Sequence, residues 1–151
     1  MKKFFIVLGS IFLGLIVLGA IAIAIFAIRF TALDKECRAY ADAAIPAIFS
    51  QWNQKELLDR ASPEFKGQPA DQLDRIFRWG STLGRLQRVA PAQGYAGFSS
   101  TPQTGKTTIG QYTAKAQFEK GTAVITLDLI KHGEQWQILS FGVTSPQLIP
   151  L

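Results

Sequence analysis

The hydrophobic pattern divides the chain into two regions of different character. The stretch Phe4–Ile28 is a run of 25 residues without a charged side chain, preceded by Lys2 and Lys3 and followed by Arg29. A helix rises 1.5 Å per residue, so about 20 apolar residues are enough to cross the hydrocarbon core of a bilayer. The sequence therefore predicts a basic tip and transmembrane helix over residues 1–30, followed by one soluble domain over residues 31–151.

A cleaved secretory signal is the alternative interpretation of the same run. Such signals have an apolar core of about 7–15 residues with a small-x-small cleavage site just beyond it. Here the core is longer, and its Ala-x-Ala triplets, Ala20–Ala22 and Ala22–Ala24, lie inside it. We therefore expect a retained signal anchor. The protein is then single-pass in the cytoplasmic (inner) membrane, with its N-terminus inside and its soluble domain on the outer, periplasmic side.

The soluble domain begins with helical periodicity. Apolar residues recur at helical spacing over Leu33–Trp52, although Pro46 should kink or break this helix. A short helix is expected over Gln54–Ala61, stopped at Ser62-Pro63, and a third helix between Pro69 and about Leu83, ended by Gly84. The third helix is expected to direct four side chains inward: Leu73, Ile76, Phe77 and Leu83.

After Gly84 the period changes from 3.6 to 2, which is the period of a β-strand. The segment Ser99–Thr108 is rich in Ser, Thr, Pro and Gly and predicts an exposed loop. In the last strand Trp136 has one parity and Phe141 the other, so a bulge near Leu139 would bring both to the core. The predicted strands are Arg85–Ala90, Gln111–Phe118, Ala123–Lys131 and Gln135–Thr144. Gly94–Ser99 is either another strand or the continuation of the first one after Pro91.

These elements predict the α+β class. One transmembrane helix precedes a domain of about three helices packed on a curved antiparallel sheet of about four strands. One domain of this length is large enough to bury a core.

The net charge of +5 arises mainly outside the predicted domain. Residues 31–151 contain 13 Lys and Arg against 11 Asp and Glu, a net charge of +2. The basic residues are scattered, so nucleic acid is not expected as a partner.

Cys37 is the only cysteine, which excludes an internal disulfide and leaves a buried thiol or a cross-link between two copies.

The order of elements and three strings of alternating residues resemble the nuclear transport factor 2-like (cystatin-like) superfamily. The similarity covers about residues 33–145 and is nearest to small membrane-anchored or secreted members without an assigned activity. It implies a cone-shaped domain, and the superfold hosts enzymes, transport adaptors, assembly factors and immunity proteins. The strings are Tyr112-x-Ala114-x-Ala116-x-Phe118, Gly121-x-Ala123-x-Ile125-x-Leu127 and Trp136-x-Ile138-x-x-Phe141-x-Val143.

The ketosteroid isomerase branch of that superfamily needs a carboxylate base inside an apolar cone. Asp128 lies on the outer parity of its strand, where we expect a pair with Lys115, and the other carboxylates fall in turns or on helix surfaces. His132 is the only histidine and lies in an expected exposed turn, so it cannot build a zinc site. We expect no catalytic residue, no metal and no cofactor.

The expected function is a membrane-anchored, non-enzymatic binding or assembly module of the cell envelope, with an envelope protein as its partner. We expect a monomer or weak dimer, because the outer face of the sheet is polar. Candidate contacts are the sheet edge, the Ser99–Thr108 loop and that outer face, which carries Thr113, Lys115, Gln117, Thr126 and Asp128. One hypothesis is a basic face for anionic lipid or an acidic partner, formed by Arg75, Arg78, Arg85 and Arg88. We favour an ordinary solvated surface instead, because Asp71 and Asp74 are interleaved with these arginines.

A carrier or sensor that holds a small apolar ligand in the cone is the alternative, and an isomerase or hydrolase is the third hypothesis. A ligand site needs a cavity of roughly 300 Å³ or more. The residues expected to line it are Tyr112, Phe118, Leu127, Trp136 and Phe77.

Overall fold

The computed structural model of the protein describes residues 1–103 and 105–147. It forms two compact units, one of Met1–Leu33 and one that begins at Asp34. Helix α1, Lys2–Phe49, supplies nearly all of the first unit and continues into the second. Its N-terminal part exposes its large apolar side chains and is long and apolar enough to be a membrane anchor or a signal sequence.

The second unit contains four helical segments after α1. Asn53 caps the first of them by accepting hydrogen bonds from the backbone N–H groups of Lys55 and Glu56. Ser62 caps the next, with Pro63 in the first helical position, where its missing N–H costs nothing. The segments are α2 (Gln54–Arg60), α3 (Pro63–Lys66), α4 (Ala70–Gly80) and a 3-10 turn (Ser81–Leu83), which ends at Gly84 with φ +82°.

Three helix predictions are corrected. Pro46 does not break α1, which continues to Phe49, because buried side chains on the same turns hold the helix against the core. Ser62-Pro63, expected only to stop a helix, starts α3. Ile76, expected to point inward, is only half-buried and lies at the surface of α4.

The strands form one open antiparallel sheet of five, in which Gly94–Ser99 belongs to a separate strand and is not a continuation of the first. Its order is β1-β3-β4-β5. The fifth strand, β2, pairs with residues 105–113 of β3, whereas β1 pairs with residues 116–118 of the same strand. The strands are β1 (Leu86–Val89), β2 (Gln93–Thr101), β3 (Gly105–Phe118), β4 (Gly121–His132) and β5 (Gln135–Thr144).

A hairpin is present at Ser99–Thr108, but its loop is shorter than predicted because most of the segment is strand. β2 runs to Thr101 and β3 begins at Gly105, with continuous pairing between them. Thr104 lies outside the described residues. Backbone hydrogen bonds pair the two strands here and need no apolar side chain. The Ser and Thr residues of this segment therefore did not give the apolar–polar alternation from which a strand is predicted.

The bulge predicted in β5 is confirmed. Asp128 pairs with Ser140 whereas Leu129 pairs with Ile138, so Leu139 is the extra residue. Residues directly opposite one another on paired strands point to the same face. The bulge therefore places Trp136 and Ile138 on the same face as Phe141 and Val143, which is the face that carries Leu127 and Leu129.

The core lies between the inner face of this sheet and the helices. The predicted inner residues of β3 and β4, including Tyr112, Phe118 and Leu127, are at most 3 % exposed. Residues 34–49 of α1 contribute Cys37, Ala41, Ala44, Ile45, Ile48 and Phe49. The alternation of buried and exposed side chains along β3 and β4 is as predicted.

Candidate functional site

The five residues predicted to line a ligand cavity are all buried, but they lie in different parts of the core. Phe118 stacks on Trp52 with ring centroids 5.3 Å apart, and Phe77 packs edge-on against the same indole at 6.0 Å. Tyr112 and Leu127 face one another across β3 and β4. The pockets reported below are lined by other residues, so ligand binding by these five stays a prediction.

Tyr112 connects the sheet to α1. Its hydroxyl donates to the backbone oxygen of Asp34 at 3.0 Å and also contacts the Asp34 carboxylate. Burial and the Asp34 hydrogen bond raise the pKa of Tyr112.

Burial likewise raises the pKa of the Cys37 thiol to about 12, so this thiol is protonated at neutral pH. Cys37 is fully buried, which confirms the first of its two interpretations.

Trp136 has an unusual environment at the end of the sheet. The Lys131 ammonium lies 5.5 Å from the centroid of its ring and forms an ion pair with Glu36 at 3.0 Å. The indole N–H of Trp136 is buried and finds no acceptor within residues 1–103 and 105–147. A buried donor without a partner costs about 1–3 kcal/mol, so this N–H is a place where a bound polar atom would stabilise the fold.

The carboxylates lie at or near the surface of the domain. Asp128 accepts hydrogen bonds from Gln111 Nε2 at 2.8 Å and Ser140 Oγ at 2.5 Å, so the predicted pair with Lys115 is wrong. Lys115 lies opposite Val124, two rows away along the sheet. All eleven Asp and Glu residues lie in the described part of the chain, and each is exposed or half-buried.

His132 is exposed at the end of β4, where its ring lies 3.3 Å from the Glu64 carboxylate of α3. The pKa of Glu64 is lowered by its own backbone N–H, then by the Ser62 hydroxyl and by His132. In the described ranges no group of three or more His, Cys, Asp or Glu side chains is arranged to hold a metal ion.

The most distinctive exposed feature of the domain is a surface on α4, which we call the α4 surface and define by Leu58, Gln72, Arg75, Ile76 and Trp79. Trp79 is 37 % exposed and Leu58 is 38 % exposed. A shallow cleft of about 420 Å³ is lined by four of these residues, from Gln72 to Trp79. It adjoins a smaller pocket of about 180 Å³, which shares Gln72 and Ile76 and is closed by Phe65 and Phe141.

Two arginines of α4, Arg75 in the α4 surface and Arg78 next to Trp79 in the chain, form no ion pair with a described residue. The spacing along α4 would allow Asp71 to pair with Arg75 and Asp74 to pair with Arg78. Neither pair forms among the described residues. Asp74 instead accepts a hydrogen bond from Gln54 Nε2 at 2.7 Å. Arg75 and Arg78 therefore extend from α4 with both guanidinium groups available.

Sequence reasoning identified the arginines but missed this surface. Its signal was present, because Gln72, Ile76 and Trp79 recur at intervals of four and three along a helix and thus share a stripe. That stripe is separate from the buried side of α4, which carries Leu73, Phe77 and Gly80. The contribution of Leu58 depends on the packing of α2 beside α4 and was not readable from either helix alone.

Comparison with known proteins finds no matching family model, no matching curated protein and no matching solved structure.

Proposed function

We propose that this protein is a membrane-anchored, non-enzymatic binding or assembly module of the cell envelope. The long uncharged run Phe4–Ile28 would remain as a single-pass anchor in the cytoplasmic membrane, with the domain on its outer side. The absence of a charged residue over 25 positions supports this choice over a cleaved signal. A cleavage site is expected just beyond the apolar core, and the nearest triplet there, Phe30-Thr31-Ala32, has a bulky residue where a small one is preferred.

The observation that carries the proposal is the α4 surface. Trp and Arg are the residues most enriched at the energetic centres of protein interfaces, and here Trp79 lies one helical turn from Arg75. A pocket of about 180 Å³ is smaller than the roughly 300–1,000 Å³ of small-molecule sites and suits one apolar side chain. The partner we propose is an envelope protein that inserts an apolar side chain there and presents acidic residues to Arg75 and Arg78.

The positions of the carboxylates support the non-enzymatic part of the proposal. An isomerase of the ketosteroid type needs a carboxylate inside an apolar cavity, with a pKa raised by desolvation. Asp34, Glu56 and Asp128 are the most buried acids, and each is only half-buried and hydrogen-bonded. The near balance of charge in the domain favours a protein partner over nucleic acid.

The proposal also specifies the shape and the oligomeric state of the domain. The order of helices followed by an antiparallel sheet is what the resemblance to the nuclear transport factor 2-like superfamily implies, and we propose the cone shape on that basis. We also propose a monomer or weak dimer, because the outer face of the sheet is mostly polar, with Thr113, Gln117 and Thr126 on it.

The test is native mass spectrometry of the full-length protein extracted from its own membrane in mild detergent. We expect a stoichiometric complex with another envelope protein. Trp79→Ala should weaken that complex by about 2 kcal/mol, roughly 30-fold, as for a typical energetic centre. Tyr95→Ala is the matched control, because Tyr95 is a 61 % exposed aromatic on β2, and it should leave the complex intact. Equal loss in both variants, or none in either, would contradict the proposal.

A carrier of a small apolar ligand is the second candidate, favoured by the buried indole N–H of Trp136 that has no acceptor among the described residues. In the same experiment this function would appear as a bound small molecule without a protein partner. Trp136→Phe should then release the molecule, because it removes the donor and keeps most of the apolar volume.

A further inference from the structure

The outer face of the sheet contains an open groove of about 500 Å³, at the opposite end from Asp128. We call it the sheet groove and define it by Arg88, Lys115, Thr122, Val124, Thr144 and Pro146. The strand register places these residues in two adjacent rows. One row runs from Arg88 through Gln117 to Thr122, and the next from Lys115 through Val124 to Thr144.

The two cations of the sheet groove lie on the same face and point toward the same space. Side chains in neighbouring rows of adjacent strands are roughly 7–8 Å apart at the backbone, so two long cationic side chains can reach one anion. Neither Arg88 nor Lys115 forms an ion pair with a described residue. Two acids of the surrounding elements are hydrogen-bonded to other groups. Asp128 accepts hydrogen bonds from Gln111 and Ser140, and Asp42 accepts one from the backbone N–H of Ala92 at 2.8 Å.

The rest of the sheet groove is apolar or carries hydroxyls. Val124 is 36 % exposed and forms its floor together with Ala90. The wall at Pro146 is held in place because the neighbouring Ser145 hydroxyl donates to the Thr122 backbone oxygen at 2.6 Å and accepts from the Gln147 backbone N–H at 3.3 Å. The groove therefore combines a fixed apolar floor with positive charge on one side and no described carboxylate in its lining.

We infer that the sheet groove binds an amphiphilic anion, in which a carboxylate or phosphate head is attached to an acyl chain. Arg88 and Lys115 hold the head, and the chain lies along Val124 toward Pro146. The volume is within the range of small-molecule sites. This inference is independent of the α4 surface, because the two share no residue. The same chemistry is offered by a free fatty acid and by an anionic phospholipid, and the experiment must separate them.

The experiment uses the full-length protein in phosphatidylcholine nanodiscs and three photo-activatable probes. These are dodecanoate with a diazirine on its chain, dodecanol with the same diazirine, and phosphatidylglycerol with a diazirine on one acyl chain. After irradiation, mass spectrometry maps the labelled residues. We expect dodecanoate or phosphatidylglycerol to label the protein near Val124 and Pro146, and the stronger of the two identifies the source. Dodecanol should label these positions much less.

The variants decide whether charge is the cause. Arg88→Gln together with Lys115→Gln should reduce this labelling about tenfold, since each lost charged contact in an exposed site weakens binding roughly threefold. Arg85→Gln together with Lys120→Gln removes the same charge from exposed positions outside the groove and should change nothing. Val124→Asp is a second test, because it places a negative charge on the floor and should also abolish labelling. All of these positions are exposed, and thermal unfolding verifies that each variant folds.

Three results would overturn the inference. The first is equal labelling by dodecanoate and dodecanol, and the second is a labelling pattern that the loss of Arg88 and Lys115 does not alter. The third is an unlabelled groove together with a dimer that depends on those two residues, which would assign this face to a second copy of the chain.

Discussion

The Tyr112 hydroxyl of β3 donates to Asp34 of α1, a residue 78 positions earlier in the chain. Asp34 lies six residues after the end of the apolar run, and the tyrosine side chain that reaches it is fully buried. The sheet is thus fastened to the beginning of the helical segment that packs in the domain. Asp34 also forms an ion pair with Arg38, but that pair is exposed and contributes little.

Tyr112→Phe tests this connection. The variant leaves the Asp34 oxygens without their buried donor, and hydrogen bonds to charged groups contribute about 1.5–3 kcal/mol. We expect the free energy of unfolding of the full-length protein in mild detergent to fall by about 2 kcal/mol, measured by urea titration. Tyr95→Phe is the control, since Tyr95 is 61 % exposed, and it should change stability by no more than about 0.5 kcal/mol. A similar effect from both variants would contradict the assigned contact.

Gly80→Ala tests the contact between α4 and the end of α1. A Cβ atom at Gly80 would lie 2.2 Å from the ring of Trp52, which is itself held by a hydrogen bond from its Nε1 to Gly84 O. We expect a loss of about 1–3 kcal/mol, as for other overpacked cores. Gly67→Ala is the matched control, because its nearest neighbour would be the Glu64 oxygen at 3.6 Å, and it should be nearly neutral. The melting temperatures of the two variants check the prediction.

The raised pKa of Cys37 predicts a loss of stability at alkaline pH. The thiol has an ordinary pKa of 9.0 and a pKa of about 12 in the folded protein. Between these values the unfolded chain has lost a proton that the folded chain retains, so the folded state is disfavoured by about 1.4 kcal/mol per pH unit. Below pH 9 the full stability is present. Cys37→Ala should make the decline less steep, although Tyr112 and Tyr40, whose pKa values are also raised, keep part of it.

The same burial predicts slow chemical modification of Cys37. A protonated thiol without solvent access reacts poorly with maleimides, because the thiolate is the nucleophile. We expect labelling of the native protein to be limited by unfolding and to become fast in urea. Rapid labelling of the folded protein would contradict both the burial of the thiol and its raised pKa.

Membrane anchoring is tested by charges within the apolar run. Ile16→Lys together with Val17→Lys places two charges at its centre, where each costs about 2.5–3.5 kcal/mol during insertion. We expect the variant to be lost from the alkali-resistant membrane fraction, whereas Ile16→Ala with Val17→Ala remains. The intact mass of the membrane-bound protein should include residues 1–30. A mass that lacks them would show that the run is a cleaved signal.

The features of the fold that depend on which side chains are buried could be predicted from the sequence. The parity change between Trp136 and Phe141 predicted the bulge at Leu139, because a strand with one buried face must keep its apolar side chains on that face. The extra length of β2 and β3 beyond Ser99 was not predicted, since backbone pairing stabilises it. Pro46 was overestimated as a helix breaker because tertiary packing outweighs one missing hydrogen bond.

The candidate site was less predictable than the fold. The α4 surface requires α2 to place Leu58 beside α4 and β5 to place Phe141 beneath it, and neither placement follows from local periodicity. The sheet groove was partly predictable, because Lys115 and Gln117 were assigned to the outer face. Its second cation, Arg88, reaches that face through a bulge in β1 between Leu86 and Arg88 that the sequence pattern did not reveal.

The most direct test of a protein-binding role is site-specific photo-crosslinking in the native membrane. A photo-reactive amino acid replaces Gln72, which lines both the cleft and the pocket of the α4 surface, and in a control protein it replaces Tyr95 on β2. We predict that position 72 cross-links to a segment of another envelope protein that combines an apolar side chain with acidic residues. Arg75→Glu with Arg78→Glu should abolish this product, and position 95 should not form it. A position 72 that forms no product, or one that is unaffected by the charge reversal, would contradict the proposed function.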